Sequence, residues 1–181
     1  ILCSMNNTNG RCAILFPHGI LGRNIEQDVR ANLISADLID AIIGIGDNLF
    51  FNSAMPACIV ICRTNKGRHK KGKILFINAK HLVTRKNSES YLEENHIREI
   101  VKLYNDYADS ETVAKVVSMT EIQQNDNKLN INLYAKGISE DSNVSWREYP
   151  TETLISRVYE QSRILHESIN ILSESINLSS K

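Results

Sequence analysis

Two adjacent aromatic residues, Phe50 and Phe51, lie in a polar loop between two apolar segments of the chain. The segments, residues 38–45 and 57–62, are short, rich in β-branched residues and bounded by Gly, Asn or Pro, which predicts buried strands. A loop between such strands leaves the sheet at one edge, where open α/β sheets place ligands. Two interpretations stay open: the rings cap the core, or one ring presents its flat face to a planar ligand such as a base.

A basic turn at residues 65–73 is the second group of residues that could bind a ligand. Its cations include Lys66, Arg68, Lys70 and Lys71. The turn is predicted to be either the solvated tip of a hairpin or a contact with the phosphates of a nucleic acid. Because a further strand follows at 73–78, residues 57–78 are predicted to form a hairpin or to extend the sheet.

The third group is the turn Pro17, His18 and Gly19, which follows a predicted strand at residues 11–16. A helix is predicted next, over residues 24–34, with Asn24 as its cap. Its apolar stripe consists of Ile25, Val29, Leu33 and Ile34. Apolar residues at nearly every position of the central strands predict a sheet that is covered on both faces.

Composition excludes several classes of protein. The 181 residues carry equal numbers of acidic and basic side chains, so the chain is not broadly basic like a histone. No apolar run approaches the roughly 20 residues that a membrane span requires. The cysteines Cys3, Cys12, Cys58 and Cys62 lack the partners and spacing of a zinc site, and Cys12, Cys58 and Cys62 are predicted to be buried small hydrophobic residues.

The second half of the chain is predicted to be mixed. Residues 92–107 form an amphipathic helix with one face made of Ile97, Ile100, Val101 and Tyr104. A helix or mixed segment covers 109–118. Residues 122–134 are predicted to contain a half-buried strand, since Leu129, Ile131 and Leu133 alternate with asparagines.

A long helix is predicted over residues 152–178. With Ser162 in one polar slot, its seam positions recur at steps of three and four, as in a coiled coil, and the apolar ones are Ile155, Val158, Leu165, Ile169, Leu172 and Ile176. The seam either packs on its own domain or binds a partner.

In this order, the segments resemble the C-terminal part of the methyltransferase (M) subunit of type I restriction–modification systems, which are adenine-N6 DNA methyltransferases. The matching segments are GRCAILFPHGIL (10–21), LIDAIIGIGDNLFFNSAMPACIVICRT (38–64), KGKILFINA (71–79), HIREIVKLY (96–104) and NDNKLNINLY (125–134). The resemblance implies an α/β fold. That fold would be the second half of a Rossmann-like, S-adenosylmethionine-dependent methyltransferase sheet, followed by a helical C-terminal region with a long tail helix.

The resemblance also implies roles for particular residues. The last strand of residues 11–64 would run antiparallel to its neighbours, and Phe50 and Phe51 would face the target base. Pro17, His18 and Gly19 would line the neighbouring strand end, with His18 in a structural role. The implied partners are DNA, the DNA-specificity subunit, which the tail helix would contact, and the restriction subunit of a cytoplasmic complex that involves no membrane.

Two motifs of that family are absent from the sequence: the acidic, glycine-containing loop that binds S-adenosylmethionine, and the Asn-Pro-Pro-aromatic motif that holds the flipped adenine. We therefore expect a fragment of a longer protein, with no catalytic residue of its own and with the main cofactor loop upstream of Ile1. Its expected parts are 1–79 from the catalytic domain, 80–150 as a mixed extension and 151–181 as a partner-binding helix. The alternative is a non-catalytic assembly module that binds the specificity subunit.

Overall fold

A five-stranded sheet forms the centre of the structure, a computed structural model that describes residues 5–50, 55–86 and 89–138. Its strands are β1 (Arg11–Pro17), β2 (Ile39–Gly44), β3 (Ala57–Arg63), β4 (Lys73–Asn78) and β7 (Ala114–Ser118). They lie side by side in the order β1-β3-β2-β4-β7. All six residues of β2 are buried, which confirms the strand predicted from its continuous apolar run.

The strand directions match the implied methyltransferase-like sheet. Strands β2 and β4 are parallel, with Ile42 opposite Phe76, whereas β3 is antiparallel to both β1 and β2. The prediction of an antiparallel last strand in residues 11–64 is therefore confirmed. Of the two alternatives for residues 57–78, the extension of the sheet is confirmed and the hairpin is wrong, because β2 lies between β3 and β4 and the basic turn carries the chain past the end of β2.

Helices cover both faces of the sheet, as the apolar strands predicted. One face packs against α1 (Gln27–Ser35), α3 (Met119–Gln124) and the single turn α4 (Ile131–Tyr134). The other face packs against α2 (Glu94–Asp106). Cys58 and Cys62 point together into the first of these two cores, with Cys12 packed against them, and all three are free thiols.

The predicted helical faces need correction. Residues 24–26 form a turn of 3₁₀ helix before α1, and Ile25 and Val29 are exposed instead of packed on the sheet. In α2, Ile97 and Val101 are exposed, while Ile100, Leu103 and Tyr104 contact the core. In each helix, the apolar residues are compatible with more than one buried face, because residues three and four apart share a helix surface. The predicted face therefore differs in part from the observed one.

Residues 119–134 form α3, a connecting loop and the single turn α4, so the strand predicted there is wrong. Leu129 and Ile131 are buried, but Leu133 is exposed, and no strand pairs with this segment among the described residues. The Leu129 amide instead donates to the carbonyl of Leu21 at 2.8 Å. Alternation over five residues also fits a loop followed by one helical turn.

Residues 80–118 contribute a small hairpin and the last strand of the sheet. The hairpin consists of β5 (Thr84–Lys86) and β6 (Glu89–Tyr91). Strand β7 occupies residues that were predicted as helix or mixed structure, and it pairs with β4 in an antiparallel manner. None of the helices in the described ranges combines the length and the apolar content that a membrane span requires.

Three sets of predictions lie outside the described residues: Phe51, Cys3 and the tail helix with its seam. The division of the chain at residues 79 and 150 also stays a prediction.

Candidate functional site

The candidate site is the edge of the sheet where the parallel strands β1, β2 and β4 end and the antiparallel strand β3 begins. Three backbone hydrogen bonds hold these strand ends together: His18 N–H to the Pro56 carbonyl (3.2 Å), Ile45 N–H to the Ala57 carbonyl (3.1 Å) and Ala79 N–H to the Gly44 carbonyl (2.9 Å). The carboxyl ends of parallel strands are where open α/β sheets bind ligands. We call this edge the carboxyl edge.

The aromatic loop, residues 46–56, leaves the sheet at the carboxyl edge. Asn48 adopts a left-handed conformation with φ of 57°, which turns the chain at the start of the loop. Leu49 packs against the core that faces α2. The next residue, Phe50, is 39% exposed, so its ring is available for contact with a ligand and does not simply fill the core.

The turn Pro17, His18 and Gly19 lies at the same edge, directly after β1. Pro17 and Gly19 are exposed, and the His18 ring lies against Gly44 of β2. The Nε2 atom of His18 is buried without a hydrogen-bond partner among the described residues. Burial, followed by the charge of Lys80, lowers the pKa of His18, so the imidazole is neutral at pH 7.

This lowered pKa predicts a pH dependence of stability. The ordinary pKa of His18 is 6.5 and the folded value lies below it, so between these two values the unfolded chain binds more protons. We therefore expect the free energy of unfolding to fall as the pH drops below about 6.5. Urea denaturation at several pH values checks this, with His18→Asn as the comparison. If His18→Asn loses as much stability over this pH range as the wild type, His18 is not the group that causes the pH dependence.

Gly44 is required at the end of β2 because a side chain has no room there. A Cβ atom at this position would lie 2.8 Å from Cδ1 of Ile131 and 3.4 Å from Cε1 of His18. We expect Gly44→Ala to lower the free energy of unfolding by about 1–3 kcal/mol, as overpacking of a core does. The matched control is Gly19→Ala, where the nearest atom would be 3.5 Å away. Equal denaturation midpoints for the two variants would contradict this packing.

The basic turn lies at the opposite edge of the sheet, between the end of β3 and the start of β4. Strands of six residues rising about 3.3 Å each separate it from the carboxyl edge by roughly 20 Å. The predicted phosphate contacts and the aromatic loop are therefore not brought together.

Lys66 and Lys70 are structural residues in this arrangement. The Lys66 ammonium is buried and donates to Oδ1 of Asp37 (2.6 Å) and to the carbonyls of Ile39 (2.9 Å) and Lys73 (2.6 Å). A buried ammonium with three acceptors is not free to bind a phosphate. This placement corrects the expectation that Lys66 contacts DNA.

Lys70 is held in a similar way. Its ammonium lies 3.8 Å from Oδ2 of Asp40, and 4.1 Å and 4.9 Å from the ring centroids of Tyr107 and Tyr104. Burial lowers the pKa of Lys70. Only Arg68 and Lys71 of the predicted phosphate group are exposed, and their contact with DNA stays a prediction.

The glycines at the carboxyl edge do not form a cradle for a cofactor. The space beside Gly44 is filled by Ile131 and His18, and the space beside Gly46 is filled by Val83 and the Lys80 carbonyl. Neither glycine therefore leaves the open space that a glycine-rich phosphate-binding turn provides. No cluster of metal-ligating side chains occurs in the described ranges.

The sequence interpretation missed Lys80. It lies two residues beyond the end of β4 at the carboxyl edge, and its charge affects His18. No sequence signal marked this residue, because the parallel pairing of β4 with β2 that brings it to this edge was not predicted.

The structure is an α/β sheet with an antiparallel strand and with a partly exposed aromatic ring at its carboxyl edge. The family model described as N-6 DNA Methylase matches residues 1–143. The chain therefore belongs to the N-6 DNA methylase family.

Individual relatives agree with this assignment. The MjaVIII methylase subunit, a type I restriction enzyme subunit of Methanocaldococcus jannaschii, is 34% identical over 165 residues, which is 88% of this chain and 27% of the relative. The MjaVII methylase subunit of the same organism is 37% identical over 68% of this chain and 22% of the relative. The chain thus spans about a quarter of the length of these relatives.

A solved structure shows the same fold. The type I restriction–modification methyltransferase subunit from Streptococcus thermophilus matches with a TM-score of 0.69 and 31% identity. The match covers 74% of this chain and 28% of that one. The prediction of a methyltransferase-like α/β sheet is confirmed by this similarity.

Proposed function

We propose that these residues form the base-facing part of an adenine-N6 DNA methyltransferase subunit in a type I restriction–modification system. The observation that carries this proposal is the exposed ring of Phe50 at the carboxyl edge of a sheet that matches the N-6 DNA methylase family. A methyltransferase can reach an amino group of adenine only after the base has left the duplex stack. An aromatic face at the sheet edge gives such a base a surface to rest on.

In this proposal the chain supplies binding and orientation. The ring of Phe50, or that of Phe51, stacks on the extruded adenine, and such stacking contributes about 1–3 kcal/mol per base. His18 helps to hold the two ends of the aromatic loop in place. Its neutral imidazole lies against Gly44, and its backbone N–H donates to the carbonyl of Pro56. S-adenosylmethionine supplies the methyl group to the native protein, and no described residue of this chain is assigned to it.

The partners follow from the same proposal. They are DNA, a DNA-specificity subunit and a restriction subunit in a cytoplasmic complex, with the seam at residues 155–176 as the contact with the specificity subunit. Arg68 and Lys71 are retained as contacts with DNA phosphates. The alternative of a purely non-catalytic assembly module is not favoured, because the family match covers the sheet and ends before this seam.

Methyl transfer tests the proposal. The native assembly, meaning this chain as expressed from its own genomic locus with the polypeptides that co-purify with it, is incubated with S-adenosylmethionine and unmethylated DNA. Nucleoside analysis by mass spectrometry should find N6-methyladenine. Methylation of cytosine, or no methylation by an assembly that binds DNA, would contradict the proposal.

A further inference from the structure

The segment directly after β4 forms part of the carboxyl edge. The Ala79 amide donates to the carbonyl of Gly44 at 2.9 Å, which ties the segment to the end of β2. A Cβ atom at Gly46 would lie 3.2 Å from the Lys80 carbonyl and 3.1 Å from Cβ of Val83. Lys80 is therefore fixed against the base of the aromatic loop by close backbone packing.

The side chain of Lys80 is half-buried, and it is unpaired within the described part of the chain. It forms no ion pair or hydrogen bond with any described residue, whereas Lys66, Lys70, Lys115 and Lys128 are each paired with an aspartate. The charge of Lys80 helps to lower the pKa of His18 and the charge of Asp47 opposes this effect, so both side chains lie near the turn that follows β1. Lys80 thus lies among the ends of β1, β2 and β4 with Asp47 as a nearby charge, but it forms no ion pair with a described residue.

Lys80 is placed to bind an anion at the carboxyl edge, next to the aromatic loop. An extruded nucleotide remains attached to its strand through its two flanking phosphates, so these phosphates lie close to the surface that receives the base. Lysine is an ordinary ligand for DNA phosphates, and such contacts position the protein without reading the sequence. The nearest cations of the basic turn belong to the opposite edge and cannot reach the same phosphates.

We propose that Lys80 binds a backbone phosphate next to the extruded adenosine. This inference rests on the proposed function and adds to it a residue that anchors the flipped nucleotide beside the aromatic loop. Lys80 is a positioning residue here, since it contacts the DNA backbone and not the reacting amine.

The dependence of DNA affinity on salt measures this contact directly. The native assembly carrying Lys80→Gln is titrated, over a range of salt concentrations, with a short duplex that contains the adenine methylated by the wild-type assembly. Each phosphate contact contributes about 0.9 to the slope of log K against log salt. We expect the slope to become shallower by about 0.9 in Lys80→Gln and to return to the wild-type value in Lys80→Arg.

The matched control is Lys102→Gln, which removes the same charge from the outer surface of α2, away from the carboxyl edge. Its slope should equal that of the wild type. An unchanged slope for Lys80→Gln, or an equal decrease for Lys102→Gln, would overturn the inference. The wild-type assembly's production of N6-methyladenine is scored separately, so a failure of the phosphate contact is distinguishable from a failure of the proposed function.

Discussion

Replacing Phe50 by alanine is expected to lower the rate of adenine methylation by the native assembly roughly 5- to 150-fold. The range is the loss of about 1–3 kcal/mol of base–aromatic stacking, converted to a rate. The loss applies because the ring is exposed at the carboxyl edge and its removal takes little from the core. Single-turnover methylation with saturating S-adenosylmethionine measures the effect.

Two further variants make the Phe50 result specific. Phe50→Tyr keeps the flat ring and should retain most of the rate, whereas Val101→Ala removes an exposed apolar side chain from α2 and should change nothing. Phe51→Ala is measured in parallel, because the sequence leaves open which ring stacks on the base. Full activity in both the Phe50→Ala and the Phe51→Ala variants would exclude stacking by this loop.

Asp40→Ala is expected to destabilise the fold more than any other single substitution considered for this chain. The Asp40 side chain is fully buried and accepts a hydrogen bond from the Tyr104 hydroxyl at 2.6 Å. Its other neighbour is the Lys70 ammonium at 3.8 Å. Removing one member of a buried ion pair leaves an uncompensated charge, at a cost of about 3–5 kcal/mol.

Thermal denaturation measures this effect. For a chain of this size the melting temperature should fall by roughly 6–20 °C, since each kcal/mol corresponds to about 2–4 °C. Burial and the hydrogen bond to Asp40 raise the pKa of Tyr104 to about 12, so the phenol remains a donor throughout the neutral range. The control is Glu99→Ala on the exposed surface of α2, which should change the free energy of unfolding by less than about 0.5 kcal/mol. Similar melting temperatures for the two variants would contradict the buried pair.

Strands β1 to β4 were predictable because each has a strong local signal, whereas the strand at β7 was not predicted. Residues 38–45 and 57–62 are apolar at nearly every position, and only strands covered on both faces carry such runs. Their order in the sheet was not readable from the runs themselves. The chain returns from β3 past β2 to reach β4, and nothing in the turn at 65–72 distinguishes that path from a hairpin.

The roles of the lysines illustrate what local sequence cannot show. Lys66 and Lys70 belong to a run of cations that is typical of a solvated surface. They are buried because two aspartates, Asp37 and Asp40, lie some 30 residues earlier in the chain and meet them only in the folded sheet. The opposite holds for Lys80, which no sequence pattern marked as a binding residue. It lies at the carboxyl edge because β4 pairs in parallel with β2.

The most direct test of the account asks which part of the chain meets the target base. The target adenine, located first by mapping the methylated position, is replaced by 5-iodouracil in the duplex, and the complex is irradiated and digested for mass spectrometry. The account predicts a cross-link within residues 46–56, on the peptide that carries Phe50 and Phe51. A cross-link confined to the turn at residues 65–72, or to no residue of this chain, would contradict it.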